Sequence, residues 1–172
     1  GEYTIAFNNR GVAKHKMKLH EEAIQDLNQA ILLNAGYVDA YINRALAKES
    51  LGNFADAIED YDHALQLNPE HSGVYINRGL LKNNLGNYAE AIKDYDQALQ
   101  IYPESVNAYV NRGLAKYNLG NYADAIKDYD QALQHDPEFV LAYSNRSMAR
   151  HNLGDYAEAI KDCDQALRLA PS

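Results

Sequence analysis

Few side chains in this sequence are equipped for chemistry, and their arrangement argues for contacts rather than catalysis. The six histidines share no metal-ligand spacing. The single Cys163 leaves no internal disulfide and stands where comparable stretches carry tyrosine, which suits a packed thiol better than a nucleophile. Asp124, Asp128 and Asp130 form a carboxylate run, but Lys127 interleaves them and the run recurs elsewhere, as a charged outer helix face does. Asn145-Arg146-Ser147 matches a glycosylation sequon inside a stretch of helical pattern that recurs without the serine. No nucleophile with a base and no cofactor motif emerges, so the reading is of a non-enzyme without cofactor or metal.

What recurs is an arginine with an asparagine before it. Residues 109–116 read YVNRGLAK, and near copies stand at 7–14 (FNNRGVAK), 41–48 (YINRALAK), 75–82 (YINRGLLK) and 143–150 (YSNRSMAR). Arg10, Arg44, Arg78, Arg112 and Arg146 are spaced by 34 residues, and units counted from Thr4, Val38, Ser72, Val106 and Val140 align without insertions. The units are 4–37, 38–71, 72–105, 106–139 and 140–172, together one domain, with residues 1–3 a leader or cloning scar. All four prolines (Pro69, Pro103, Pro137, Pro171) fall at unit position 32. The first unit is degenerate, with Lys18 for the position-15 glycine and Ala35-Gly36 for the proline.

Two helices must position these residues in each unit. In the fourth, Asn107 to Leu119 forms the first, closed by Gly120 in a left-handed cap. Asn121 is placed to N-cap a second helix from Tyr122 to about Gln134, which Pro137 ends. His63, His71 and His135 then fall on second helices or connecting loops, where solvated rings are expected. Two short helices cannot bury their own apolar faces, so the units must stack.

Small-Leu-Gly at positions 8, 14 and 15, Tyr at 17, Ala at 20, Tyr at 24, Ala at 27 and Pro at 32 resemble the tetratricopeptide repeat over residues 4–172. The NRG wording is similar to a variant of it, departing from the family's usual Leu at position 7 and Tyr at position 11. The resemblance implies an all-α right-handed superhelix, a solenoid of five helix-turn-helix units. It also implies a concave groove lined by the first helices.

Helical periodicity divides the first helix of each unit into two faces. Positions 4, 7, 8, 11 and 14 (Tyr109, Arg112, Gly113, Lys116, Leu119) form one, which should meet a second helix. A partly buried guanidinium there requires a carboxylate, and position 23 supplies Asp26, Asp60, Asp94, Asp128 and Asp162. The expectation is a bidentate ladder joining Arg44, Arg78, Arg112 and Arg146 to Asp60, Asp94, Asp128 and Asp162. Whether each pair lies within a unit or between units stays open.

Positions 2, 5, 6, 9, 12 and 13 form the other face, the one the resemblance assigns to the groove. Across units it offers the amides Asn9, Asn43, Asn77, Asn111 and Asn145. Beside them run Ile42, Leu46, Ile76, Leu80, Val110, Leu114, Tyr117 and Met148. Amides can pair with peptide N–H and C=O while apolar pockets take alternate side chains, so the expected ligand is an extended segment of a partner protein. The alternative is a structural spacer or self-association scaffold using the stack ends or convex face, with the asparagines bonding neighbouring helices.

The family's carboxylate clamp for chaperone tails needs Lys at position 5 and Asn at 9 of one repeat, Asn at 6 of the next, then Lys at 2 and Arg at 6 of the third, and only the position-6 asparagines match. Here position 9 is always apolar and position 2 is Ile5, Asp39, Gly73, Asn107 or Leu141. That partner class is disfavoured. Strongly acidic ligands are too, since His15, Lys16 and His151 lie only in the end units. A net charge of −8 without a basic stripe excludes nucleic acid as the expected partner. No apolar run is long enough to span a bilayer, and a cytoplasmic location is the working expectation. The last second helix should expose Ala159, Ile160, Cys163 and Leu167, which predicts end-to-end self-association or a continuation of the chain.

Overall fold

The computed structural model describes residues 1–170, and the regular elements among them are ten α-helices. They are α1 (Glu2–Lys16), α2 (His20–Leu33), α3 (Val38–Ser50), α4 (Phe54–Leu67), α5 (Ser72–Asn84), α6 (Tyr88–Ile101), α7 (Val106–Asn118), α8 (Tyr122–His135), α9 (Val140–Asn152) and α10 (Tyr156–Leu169). Pro171, the last of the periodic prolines, lies outside the described residues. Two compact bodies are formed, one of Gly1–Val74 and one beginning at Tyr75. In the N-terminal body α1 packs on α2, α2 on α3 and α3 on α4, and α1 also touches α3. In the C-terminal body the same order runs from α6 to α10, with α7 also touching α9.

The turn between paired helices follows from one residue. Gly52, Gly86, Gly120 and Gly154 have φ near +80°, a conformation open to glycine without a Cβ clash. Lys18 takes the same place in the first repeat at φ 65°. The backbone N–H after each glycine then reaches back over the turn, as in Asn121 N–H to Lys116 C=O at 2.9 Å. Asn121 does occupy the N-cap position, but its side chain makes no cap bond, and its backbone sits at φ −85° and ψ 60°, away from the β region usual for a capping residue. The second helices end where expected. Asn68, Tyr102 and Asp136 are extended, the conformation proline forces on the residue before it.

Close approach within a pair is set by positions 8 and 24. A Cβ on Gly113 would lie 2.6 Å from Tyr129 Cε1, and one on Gly79 2.8 Å from Tyr95 Cε1. The missing side chain is the space the ring fills, and Tyr61, Tyr95 and Tyr129 are fully buried. The core continues between successive pairs through alanines, as where Ala125, Tyr129 and Ala132 meet Ala142 and Ala149. On α10, Ile160, Cys163 and Leu167 are exposed. Ala159 is a correction to the sequence reading: it is buried, on the stripe where α10 packs on α9 and where Ala57, Ala91 and Ala125 are also buried.

Candidate functional site

The arginine face is saturated with partners. In every repeat the arginine clamps the aspartate sixteen residues on, within its own helix pair. Arg44 donates through Nε to Asp60 Oδ2 at 2.9 Å and through Nη2 to Oδ1 at 2.5 Å. The Nε and Nη2 distances are 3.0 and 2.6 Å at Arg78–Asp94, Arg112–Asp128 and Arg146–Asp162. Arg10 and Asp26 make the same fork. The aspartates are buried, so this contact removes the charge imbalance that burial would otherwise leave.

Two further partners were not anticipated. Position 11 supplies a second cation: Lys14, Lys48, Lys82 and Lys116 reach the same carboxylates at 2.7–2.8 Å, and Arg150 does so at 2.7 Å. The signal was present, because Lys stood where the repeat usually has Tyr, one turn after the arginine on the same face. The arginine also spans helix pairs, since Nη1 of Arg44, Arg112 and Arg146 reaches Asn28, Asp96 and Asp130 of the pair before, each at 2.6 Å. The position-23 aspartate is therefore met within the arginine's own unit, and a position-25 residue of the preceding unit is a further partner of Arg44, Arg112 and Arg146. Each guanidinium also lies 5.2–5.5 Å from the centroid of an aromatic ring three residues earlier, such as Tyr109 under Arg112. Burial alone would lower the Arg112 pKa, but Asp128 and Asp96 together hold it above its ordinary value.

The asparagine face is less uniform. In the N-terminal body Asn9 is exposed, while Asn43 is half-buried and donates through Nδ2 to Asn8 Oδ1 at 2.9 Å. In the C-terminal body Asn77 and Asn111 are half-buried, and neither makes a side-chain hydrogen bond within the described residues. Asn145 is buried. Among the apolar positions Leu80 and Met148 are exposed, while Ile42, Leu46, Leu114 and Tyr117 are half-buried. Tyr117 accepts a hydrogen bond from Asn152 Nδ2 at 2.9 Å. Val110 is a correction: at 2% exposure it belongs to the core, because α9 runs beside α7 and covers position 5. Ile76, half-buried, likewise packs against Ala91 and Tyr95. Position 9, not position 5, carries the accessible apolar groups.

Position 12 is variable. It holds His15, Glu49, Asn83, Tyr117 and His151. Burial raises the Glu49 carboxyl above its usual range, opposed by the hydrogen bond that Tyr61 Oη donates to Glu49 Oε1 at 2.5 Å. His15 lies with Nδ1 3.1 Å from Nδ1 of His20, and burial followed by the neighbouring ring lowers its pKa.

Comparisons with known proteins agree with this architecture along the chain. Models described as tetratricopeptide or TPR repeat match residues 5–37, 38–71, 60–93, 79–120 and 110–172. The chain belongs to the tetratricopeptide repeat family. No curated protein matches it in sequence. Among solved structures, a crystal structure of MamA protein superposes with a TM-score of 0.87 at 22% identity, covering 98% of this chain and 92% of that one. MamA 41-end from Desulfovibrio magneticus RS-1 gives 0.89 at 19% identity, covering 98% and 96%. A tetratricopeptide repeat protein from Parabacteroides merdae gives 0.83 at 25% identity, covering 98% of this chain and 66% of that one. These likenesses show the same all-α tetratricopeptide fold, and the family matches support a general role as a protein-interaction scaffold. No helix among the described residues is long and apolar enough to cross a membrane.

Proposed function

We propose that the chain is a non-catalytic scaffold that holds an extended segment of a partner protein along its first helices. The observation that carries this reading is the contrast at Asn77 and Asn111. The adjacent arginines are fully engaged, whereas these two amides are half-exposed, make no side-chain hydrogen bond among the described residues and stand one turn from the exposed Leu80 and the half-buried Leu114. An amide offers both a donor and an acceptor to a peptide backbone. At roughly 1 kcal/mol net per hydrogen bond, added to burial of a few apolar side chains, micromolar affinity is within reach. The surface favours neutral or basic segments, given the net charge of −8 and the absence of lysine at the position a carboxylate clamp requires.

A structural reading is favoured in the N-terminal body by the Asn43–Asn8 hydrogen bond, which ties α3 to α1. Panning a phage-displayed library of random linear peptides against the whole chain separates the two. Under the groove reading, enriched sequences share alternating apolar positions and lose binding to the Asn77→Ala/Asn111→Ala variant, whose unfolding midpoint stays near wild type. If that variant binds every enriched peptide as well as wild type, the asparagine face is not the binding surface.

A further inference from the structure

The first repeat carries two imidazoles where the other repeats carry different pairs. Unit positions 12 and 17 hold His15 and His20, then Glu49 and Phe54, Asn83 and Tyr88, Tyr117 and Tyr122, and His151 and Tyr156. The fold brings these two positions together. The ring centroids of Tyr117 and Tyr122 are 5.2 Å apart, as are those of His151 and Tyr156, and those of His15 and His20 are 4.9 Å apart. His15 lies in the last turn of α1 and His20 opens α2, with the left-handed turn at Lys18 between them. Five residues apart on different helices, they lack the i, i+4 spacing that marks a metal site within one helix.

Ring packing is enough to account for a tyrosine pair, but the two histidines are also aligned by their nitrogens. Nδ1 of one stands 3.1 Å from Nδ1 of the other. A hydrogen bond there uses a proton on one nitrogen and the lone pair of the second; with both ring protons on Nε2, two lone pairs converge on one point. Imidazole nitrogens bind Zn²⁺ at about 2.0–2.1 Å, which sets two donors at right-angled to tetrahedral geometry about 2.9–3.4 Å apart. The 3.1 Å separation falls inside that range. Both rings are half-buried, and the exposed Glu21 and Glu22 add negative charge in the first turn of α2. The place stays open with a repeat on either side, since Tyr117 and Tyr122 at the same positions of the fourth repeat are also only half-buried.

We propose that His15 and His20 bind a divalent transition-metal ion (Zn²⁺, Ni²⁺ or Cu²⁺) through their Nδ1 atoms, in place of the proton they share. Imidazole donors suit these ions, whereas Mg²⁺ and Ca²⁺ prefer oxygen. No third His, Cys, Asp or Glu completes the set among the described residues, so water takes the remaining coordination positions. The site uses neither Asn77 nor Asn111 and stands apart from the peptide-binding reading.

Isothermal titration calorimetry of the whole chain with Ni²⁺ at neutral pH tests it. One equivalent should bind with a Kd on the order of 10 µM, and Mg²⁺ should give no binding heat. His15→Tyr and His20→Tyr should each weaken Ni²⁺ binding roughly tenfold or more, because each leaves a single imidazole. Tyr117 and Tyr122 show that the fold takes tyrosine at both positions, and circular dichroism checks that each variant is folded. His63→Ala, which removes an exposed ring elsewhere, should leave the affinity unchanged. In the wild-type chain, substoichiometric Ni²⁺ should broaden the His15 and His20 ring resonances before those of the other four histidines. A chain that takes up no Ni²⁺ overturns the proposal. So does binding that either tyrosine substitution leaves intact, or broadening that begins at another histidine.

Discussion

The first and fourth repeats contain the same Arg–Asp–Lys cluster in different settings. In the fourth, Arg112 is mostly covered, bonds Asp96 as well as Asp128, and lies over Tyr109. In the first, Arg10 makes the same fork to Asp26 from a largely exposed side chain. The turn is glycine in the fourth and lysine in the first, both at positive φ, and the position-24 residue is Tyr129 in one and Leu27 in the other. An identical motif can thus carry very different weights, because the solvent left around it decides how much an ion pair contributes.

The largest effect should come from breaking the cluster where it is most buried. Asp128→Ala leaves Arg112 and Lys116 facing an empty site and should lower stability by about 3 kcal/mol in urea unfolding. Asp26→Ala should lose well under half as much, since water can solvate Arg10. Next comes the helix approach. Gly113→Ala pushes a methyl into Tyr129 and should cost about 1.5 kcal/mol. That is a moderate figure, since the second repeat accommodates Ala45 opposite Tyr61. Gly11→Ala would meet Leu27 Cγ at 2.8 Å and the Ala23 backbone oxygen at 3.2 Å and should cost a similar amount. The turn gives the reverse sign: Lys18→Gly should stabilise by about 1 kcal/mol by relieving a left-handed lysine, read as a rise in melting temperature.

The smallest effect is in acid. The hydrogen bond from Arg10 holds the Asp26 carboxyl below its ordinary value of 3.8 against the upward push of burial. A depressed carboxylate pKa means that the stability it contributes is present above the ordinary value and is lost as pH falls through the folded one. Wild type should therefore lose stability on acidification below 3.8, and Asp26→Asn should flatten that part of the profile.

Much of this was legible in the sequence because the repeat multiplies each signal. Thirty-four-residue spacing, the position-15 glycines and the prolines fixed helix pairs and turns to within a residue or two, and the need of a buried arginine for a carboxylate pointed to Asp128. Lys116 was visible but was counted as a departure from the family instead of a second cation for the same carboxylate. Val110 was misplaced because a helical wheel describes one helix at a time. Its burial comes from α9 lying alongside, a packing relation that periodicity within α7 does not encode. The difference between Asn9, exposed, and Asn145, buried, has the same origin: identical residues in identical helices meet different neighbours.

The central claim is that adjacent residues in YVNRGLAK divide their work, Arg112 holding the fold and Asn111 left available for a partner. Urea unfolding of Arg112→Ala and Asn111→Ala, side by side, tests it most directly. Arg112→Ala should lose about 3 kcal/mol by leaving Asp128 and Asp96 short of their shared cation, while Asn111→Ala should stay within about 0.5 kcal/mol of wild type. Equal losses at the two positions would contradict the division and make the asparagine a structural residue like its neighbour.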